Sequence, residues 1–315
     1  MARNVVVAAS GRRCGSVPAS AATPETDAAV GSYLNQVVQN VIPRNPDLIL
    51  LPEMCDLPEN WNMDAYFCYL DARMNTVQEY IQSLAKKHRV WMAYCTVRKT
   101  ASGRYRNSCL LIDRSGNLFA VFDKLHPTLG ELEHGVEPGD GLTCVSCELG
   151  RIGCMICFDA NDLAAAVGVA EHKLDLLLFP ALFHGGLLQQ VWALSSGAHL
   201  IAACGGCGAS VVSPLGQILS KSSDRTSETV LPVNCDCETV HLDFNGKKIR
   251  AATEKYGCEL AVSDPNDIGA VLLTSQSECR TVQQILREFE IEPRDQYLHR
   301  VFQLARNIVE ERHER

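Results

Sequence analysis

No stretch of this chain reaches the roughly 18 consecutive apolar residues that a membrane-spanning helix needs. No basic run stands out either. The 37 acidic residues outnumber the 29 basic ones, and the net charge is −8. Such a balance argues against nucleic acid and anionic membrane as partners. The N-terminus offers only a short apolar run, Val5 to Ala9, which reads as a first strand and is too weak for a secretory signal. There is no internal repeat, no low-complexity tract and no Gly/Ser/Pro-rich linker that would cut the chain into independent pieces. What remains has the composition of a soluble globular protein, 46% hydrophobic and 21% charged. At 315 residues it can bury a large core, and length alone predicts about two domains.

Cysteine, by contrast, is plentiful. The chain has 15, an odd number in a long sequence without a secretory signal. That predicts free thiols in a reducing compartment, the cytoplasm, and not a disulfide framework. Three CxxC spacings raise the question of zinc: Cys144/Cys147, Cys154/Cys157 and Cys204/Cys207. The first two pairs fall in expected strands, where residues three apart point to opposite faces and cannot chelate one ion without a sharp turn. Only Cys204-Gly-Gly-Cys207 has turn residues inside it. No metal site and no cofactor are expected.

The pattern of apolar residues alternates strands with helices. Residues 5–10 read as a strand, 24–42 as a helix opened by Thr23-Pro24-Glu25, and 47–53 as a continuous apolar strand ending in Pro52-Glu53. A helix over 71–88, a strand over 90–96 and a hairpin of 104–113 with 118–125 follow. After a Gly/Pro/Glu-rich loop come strands 142–149 and 151–158, a helix over 162–173, a strand over 174–180, a helix over 187–198 and a strand over 199–204. Strands near 209–220 and 228–236 read as a hairpin through Pro214-Leu-Gly216. Beyond residue 240 the signal weakens to a helix near 246–256, short strands at 258–263 and 269–274, and helices at 280–290 and 295–312. The fold class is α/β with mixed sheets covered by helices.

Three titratable residues stand where strands end: Glu53, Lys124 and Cys157. In layered α/β folds that edge is where sites are built. Their chemistry is compatible. A carboxylate can take a thiol proton and later pass it to a leaving amine. An ammonium beside the thiol lowers its pKa and can hold an oxyanion together with a backbone N–H. Each residue taken singly has a plainer reading: a buried cysteine, a loop acid, a solvated lysine.

Leu50-Leu-Pro-Glu53, Phe122-Asp-Lys-Leu-His-Pro-Thr128 and Gly153-Cys-Met-Ile-Cys-Phe-Asp159, in that order and at those separations, resemble the nitrilase superfamily of carbon–nitrogen hydrolases. Leu178-Phe-Pro180 and Ser210-Val-Val-Ser-Pro-Leu-Gly216 extend the resemblance, which covers about residues 4–240. It implies a four-layer α-β-β-α sandwich with mixed sheets. It also replaces the two-domain expectation by one carbon–nitrogen hydrolase domain over 1–315, with 241–315 as a C-terminal extension. It implies a triad without metal or cofactor: Glu53 as general base, Lys124 as oxyanion stabiliser and Cys157 as nucleophile. The backbone N–H of Phe158 would be the second oxyanion donor. The family often adds a second glutamate that holds the lysine and the substrate amine. The spacing to Pro138-Gly139 favours Glu131 for it, with Glu133 next and Glu137 as a solvated loop acid. The family's subunits assemble through helices near the nucleophile, so a homodimer or larger homo-oligomer is expected.

The implied reaction is cleavage of a small linear amide or N-carbamoyl compound through a cysteine thioester, releasing ammonia or amine. Phe158-Asp159 stands where true nitrilases have a Trp-Glu pair, which favours an amide over a nitrile. The Lys124-Leu-His-Pro-Thr128 context resembles some nitrilases and keeps a small nitrile as the alternative. A non-catalytic binding protein that retains the fold is the alternative of a different class. The sequence departs from the family around the pocket. Asp159-Ala-Asn-Asp162 lacks the usual Pro-Glu and arginine after the cysteine, and Ala193-Leu-Ser-Ser-Gly197 replaces an Arg-Ala-x-Glu-Asn motif. His184, in Phe183-His-Gly-Gly186, is either a substrate contact or a hydrogen-bonded structural histidine. Trp61 and Trp192 read as packing residues, and His126 as a neighbour of the lysine outside the chemistry.

Overall fold

The computed structural model describes residues 2–19, 23–223 and 226–313, so residues 20–22 of the expected loop before the first helix lie outside the described residues. The chain divides into two compact units, Val5–Val233 and Met1–Asn4 with Asn234–Arg315. The first begins with β1 (Asn4–Ser10), α1 (Thr23–Val41), β2 (Leu48–Leu50), α2 (Met63–Arg73), α3 (Thr76–His88), β3 (Trp91–Lys99), β4 (Tyr105–Ile112), β5 (Leu118–Asp123) and α4 (Leu129–Glu133). It continues with β6 (Cys144–Cys147), β7 (Gly150–Cys154), α5 (Leu163–Gly168), β8 (Leu176–Ala181), α6 (Leu187–Ser196), β9 (His199–Cys204), β10 (Gly208–Val212), β11 (Ile218–Lys221) and β12 (Glu228–Asn234).

These strands form two six-stranded sheets, β12-β1-β2-β3-β4-β5 and β11-β10-β9-β8-β7-β6. Both are mixed. β1, β2 and β3 run parallel, as do β7, β8 and β9, and antiparallel hairpins flank each parallel part. Helices cover the outer faces, giving the α-β-β-α sandwich. The layering explains the apolar runs. On β3, Met92 and Tyr94 pack against Val30, Leu34, Val37 and Val38 of α1 and Ile81 and Leu84 of α3. The alternate residues Ala93 and Cys95 are buried as well. A strand covered on both faces has no polar side, so its sequence loses the two-residue alternation.

Two differences from the sequence expectation concern how elements divide and pair. The helix expected over 71–88 is a pair, α2 and α3, broken at Met74, whose φ is +54°. Residues 63–70 lack a clear apolar stripe because α2 buries Tyr66, Tyr69, Leu70 and Arg73, three of them with bonded polar ends. Arg73 is tolerated inside because it pairs with the fully buried Asp56, which also accepts from the Tyr66 hydroxyl at 2.6 Å and the Thr96 hydroxyl at 2.8 Å. The second difference concerns 228–236. The hairpin through Pro214-Leu-Gly216 joins β10 to β11, and β12 leaves it to pair beside β1 in the other sheet.

The second unit has a three-stranded antiparallel sheet, β13 (Cys237–His241), β15 (Ala270–Ser275) and β14 (Leu260–Ser263), in that spatial order. α7 (Gly246–Tyr256) and α8 (Val282–Glu288) cover it through Ile249, Ala252, Ile285 and Leu286. α9 (Arg294–His313) buries Tyr297 and leaves Val301, Phe302, Leu304, Ile308 and Val309 exposed. Among the described residues, no helix is long and apolar enough to cross a membrane. All fifteen cysteines are free thiols.

Candidate active site

The two sheets bring separate loops to one point. β2 ends at Leu50. Leu51 still donates its N–H to the Ala93 carbonyl at 2.9 Å before the chain turns at Pro52-Glu53. Lys124 follows β5, its N–H donating to the Asn107 carbonyl at 2.8 Å. Cys157 opens a 3₁₀ turn, Cys157–Asn161, three residues after β7, and its φ is +49°. A left-handed conformation at a non-glycine residue is held by its surroundings and turns the side chain sharply out of the strand direction. Here the holding group is Asp159. Its carboxylate accepts the Ile156 N–H at 2.8 Å and the His126 N–H at 2.7 Å, tying the cysteine turn to the lysine loop. Asp162 then caps α5 by accepting from the Ala165 N–H at 3.0 Å.

Glu53, Lys124, Glu131 and Cys157 meet in one buried cluster, each no more than 9% exposed. Lys124 Nζ lies 2.7 Å from Glu53 Oε1 and 2.6 Å from Glu131 Oε2. Glu53 Oε2 accepts the Leu182 N–H at 3.1 Å, just past the end of β8, and the Glu53 carboxylate acts electrostatically on the Cys157 thiol. Glu131 is held by a capping box that opens α4. Thr128 N–H and Oγ1 donate to Glu131 Oε2 at 2.7 and 2.9 Å, and Glu131 N–H donates back to Thr128 Oγ1 at 3.4 Å. Asn107, from the middle of β4, completes the cluster. Its Nδ2 donates to Glu53 Oε1 at 2.9 Å and to Glu131 Oε1 at 2.7 Å.

The charges follow from these contacts. Burial pulls the Lys124 ammonium toward neutrality, but the Glu53 and Glu131 carboxylates outweigh it and hold the lysine charged well above its ordinary range. Burial pushes Glu131 up, yet Lys124, Thr128 and Asn107 bring its carboxyl below the usual glutamate value. For Cys157 the balance is opposite to the one expected from sequence. Lys124 does draw the thiol down, but burial and the Glu53 carboxylate push it far up. At neutral pH the resting sulfur is therefore a thiol.

The remaining expected residues fall around this cluster or away from it. Phe158 is the second residue of the 3₁₀ turn, in the region where backbone N–H groups lack intrahelical partners. Glu133 is exposed at the end of α4, and Glu137 pairs with Arg104 at 3.1 Å. His184 is half-buried; its Nδ1 accepts the Gly186 N–H at 3.1 Å and its carbonyl takes the Gln189 side-chain amide. Burial, with Lys221 nearby, lowers its pKa, so the ring is neutral at pH 7. Trp192 is buried and donates to the Ala160 carbonyl at 2.9 Å, and Trp61 donates to the Val17 carbonyl at 2.7 Å and packs on Tyr69. Both act as packing residues. His126 bonds Asp162 at 3.0 Å, on the rim.

Two residues of the cluster were not singled out from sequence. Asn107 carries a signal in retrospect: it is the inward polar residue of a strand that goes on as Cys109-Leu-Leu-Ile112. Thr128-Leu-Gly-Glu131 is a legible capping box, and it separates Glu131 from Glu133 without any knowledge of the fold.

The chain is similar to several known proteins. A hydrolase of Schizosaccharomyces pombe is 22% identical over 206 residues, which are 58% of this chain and 64% of that protein. The chain thus spans less than two thirds of that relative's length. An omega-amidase of Xenopus laevis is 21% identical over 229 residues, covering 64% of this chain and 81% of that one. Among solved structures, Nit3 of Saccharomyces cerevisiae, a member of branch 10 of the nitrilase superfamily, superposes with a TM-score of 0.62 at 17% identity, over 74% of this chain and 90% of that one. The family model for carbon–nitrogen hydrolases matches residues 20–242, more than half of the chain and the whole of the cluster, so this chain belongs to the carbon–nitrogen hydrolase family.

Proposed function

We propose that this protein is a thiol hydrolase that cleaves the C–N bond of a small linear amide or N-carbamoyl compound. The observation that carries the reading is the Lys124 ammonium clamped between Glu53 and Glu131, with Cys157 buried in the same cluster. Cys157 Sγ attacks the carbonyl carbon as its proton passes to Glu53. Lys124 Nζ and the Phe158 N–H receive the developing oxyanion. Glu53 gives the proton to the departing ammonia or amine, leaving a thioester on Cys157. Water, deprotonated by Glu53, then attacks the thioester carbonyl; the carboxylate product leaves and the thiol is restored. Glu131 holds Lys124 and faces the substrate amine. His184, with two glycines beside it, lines the pocket as a neutral polar contact, and Glu133 stays in solvent unless substrate draws it in.

The resemblance to proteins named omega-amidase supports an amide over a nitrile. The sequence around Lys124 favours nitrile as the second reading, because Leu125-His-Pro-Thr128 follows the lysine as in some nitrilases. Ammonia release from a panel of small amides, N-carbamoyl compounds and nitriles tests both. Turnover on an amide or carbamoyl compound, abolished by Cys157→Ala, is the expected result. Full turnover in Cys157→Ala refutes the mechanism, and turnover on nitriles alone promotes the second reading. We further propose a homodimer or larger homo-oligomer working in the reducing cytoplasm, which suits fifteen free thiols. Light scattering on the purified protein measures the first point.

A further inference from the structure

Asn107 bonds to both carboxylates of the cluster. It is fully buried, in the middle of β4. Its amide orientation follows from chemistry. Two ionised carboxylates can only accept hydrogen bonds, so the NH₂ end must face Glu53 and Glu131. The oxygen end faces Cys95, whose Sγ–H donates to it at 3.2 Å. Each Nδ2 proton therefore serves one carboxylate. Lys124 Nζ does the same from the other side, so the two glutamates are bridged twice, once by a cation and once by a neutral amide.

We propose that Asn107 is a positioning residue that holds Glu53 and Glu131 at a set separation around Lys124 and keeps Glu53 turned toward the Cys157 thiol. The inference rests on the hydrolase reading and deepens it. Without the amide, Glu53 Oε1 retains only Lys124, and the carboxyl can rotate away from the thiol. Two buried carboxylates would then share one cation with no further donor between them. The groups that act on this pair are few. Lys124 comes from the end of β5, Cys157 from the turn after β7, Cys95 from β3 and Cys204 from β9; Asp159 acts on the pair through Lys124. Lys124 is the cation among them, and the thiols are raised by burial, so they bring no charge near neutrality.

The experiment reads the pH dependence of Cys157 alkylation by iodoacetamide, followed by mass spectrometry on the full-length protein. It needs no substrate. In the wild-type chain the acidic limb of the rate profile reports protonation of the carboxylate pair, whose Glu131 member Asn107 helps to hold below the usual glutamate value. Asn107→Ala removes the donor, and Asn107→Asp replaces it at equal volume by a third carboxylate. Both are expected to move the acidic limb to higher pH, by about one unit for the loss of one charge-assisted hydrogen bond and further for Asp. A role confined to filling space would lower the yield of folded protein without moving the limb. If Asn107→Ala fails to fold, the isosteric Asn107→Asp still carries the measurement. A limb unmoved in the variants, with a reactive wild-type Cys157, overturns the inference alone. A wild-type Cys157 no more reactive than the buried Cys154 overturns the hydrolase reading and the inference with it.

Discussion

Replacing Lys124 by methionine probes the electrostatics of the cluster, because the side chain keeps similar bulk and loses its charge with the two hydrogen bonds it donates. In the wild-type protein the ammonium lies within 2.7 Å of Glu53 and 2.6 Å of Glu131, and all three groups are buried. Breaking a buried pair by removing one partner costs about 3–5 kcal/mol, since the survivor stays charged in a poor solvent. Here two survivors remain, so the upper part of that range is expected near pH 8. The pH dependence is the sharper signature. In the wild type the Glu131 carboxyl sits below its ordinary value of 4.5, despite burial, because of Lys124, Thr128 and Asn107. Its contribution to stability is therefore present above 4.5 and lost as pH falls through the folded value. In Lys124→Met, burial and the facing Glu53 charge are no longer opposed by a cation, so the folded value rises above 4.5. A raised folded value reverses the sign: stability is present below 4.5 and lost as pH rises through the new value. The variant should therefore be much closer to wild type at about pH 5 than at about pH 8. Urea denaturation of the two proteins across that interval measures it. A destabilisation that is equal at both ends, or that grows on acidification, would refute the electrostatic account.

Other outcomes follow from the same contacts. Glu131→Gln should lower kcat by at least about 10²-fold, because it removes a carboxylate that holds Lys124. Glu133→Gln, at an exposed position, should stay within about twofold of wild type; steady-state kinetics on a common substrate separates the two glutamates. Asp159→Ala leaves the Ile156 and His126 N–H groups without their acceptor and should destabilise the protein by roughly 2–4 kcal/mol in urea melts. Asp159→Asn keeps one acceptor oxygen and should lose less.

The C-terminal unit poses a separate question of assembly. α9 leaves Val301, Phe302, Leu304, Ile308 and Val309 exposed along one helix, whereas α7 and α8 bury their apolar residues against the small sheet. The family match ends at residue 242, so this unit lies almost wholly outside it.

Much of the fold is written in local pattern. Runs such as Leu48 to Leu51 and Trp91 to Val97 have no polar face, and that alone requires cover on both sides, as a sandwich supplies. The chemistry-bearing residues Glu53, Lys124 and Cys157 stand at the ends of such runs, where a chain must turn and leave backbone groups for a ligand. Those features depend on a few neighbouring residues, and the sequence by itself determined them.

Tertiary structure decided what depends on residues far apart in the chain. The spacing of apolar residues could not say that β12 leaves its hairpin to pair beside β1, because alternation marks a strand without naming its partner. Nor could it place Arg73 in the interior, since its burial requires Asp56, seventeen residues earlier. The charge state of the site is the clearest case. A lysine near a cysteine reads as an activated thiolate, yet burial and the Glu53 carboxylate outweigh Lys124 and leave a thiol. The same holds for Asn107, which bonds two glutamates 54 residues before it and 24 after it in the chain. Sums of opposing long-range fields are set by distances, and distances across the chain exist only once it has folded.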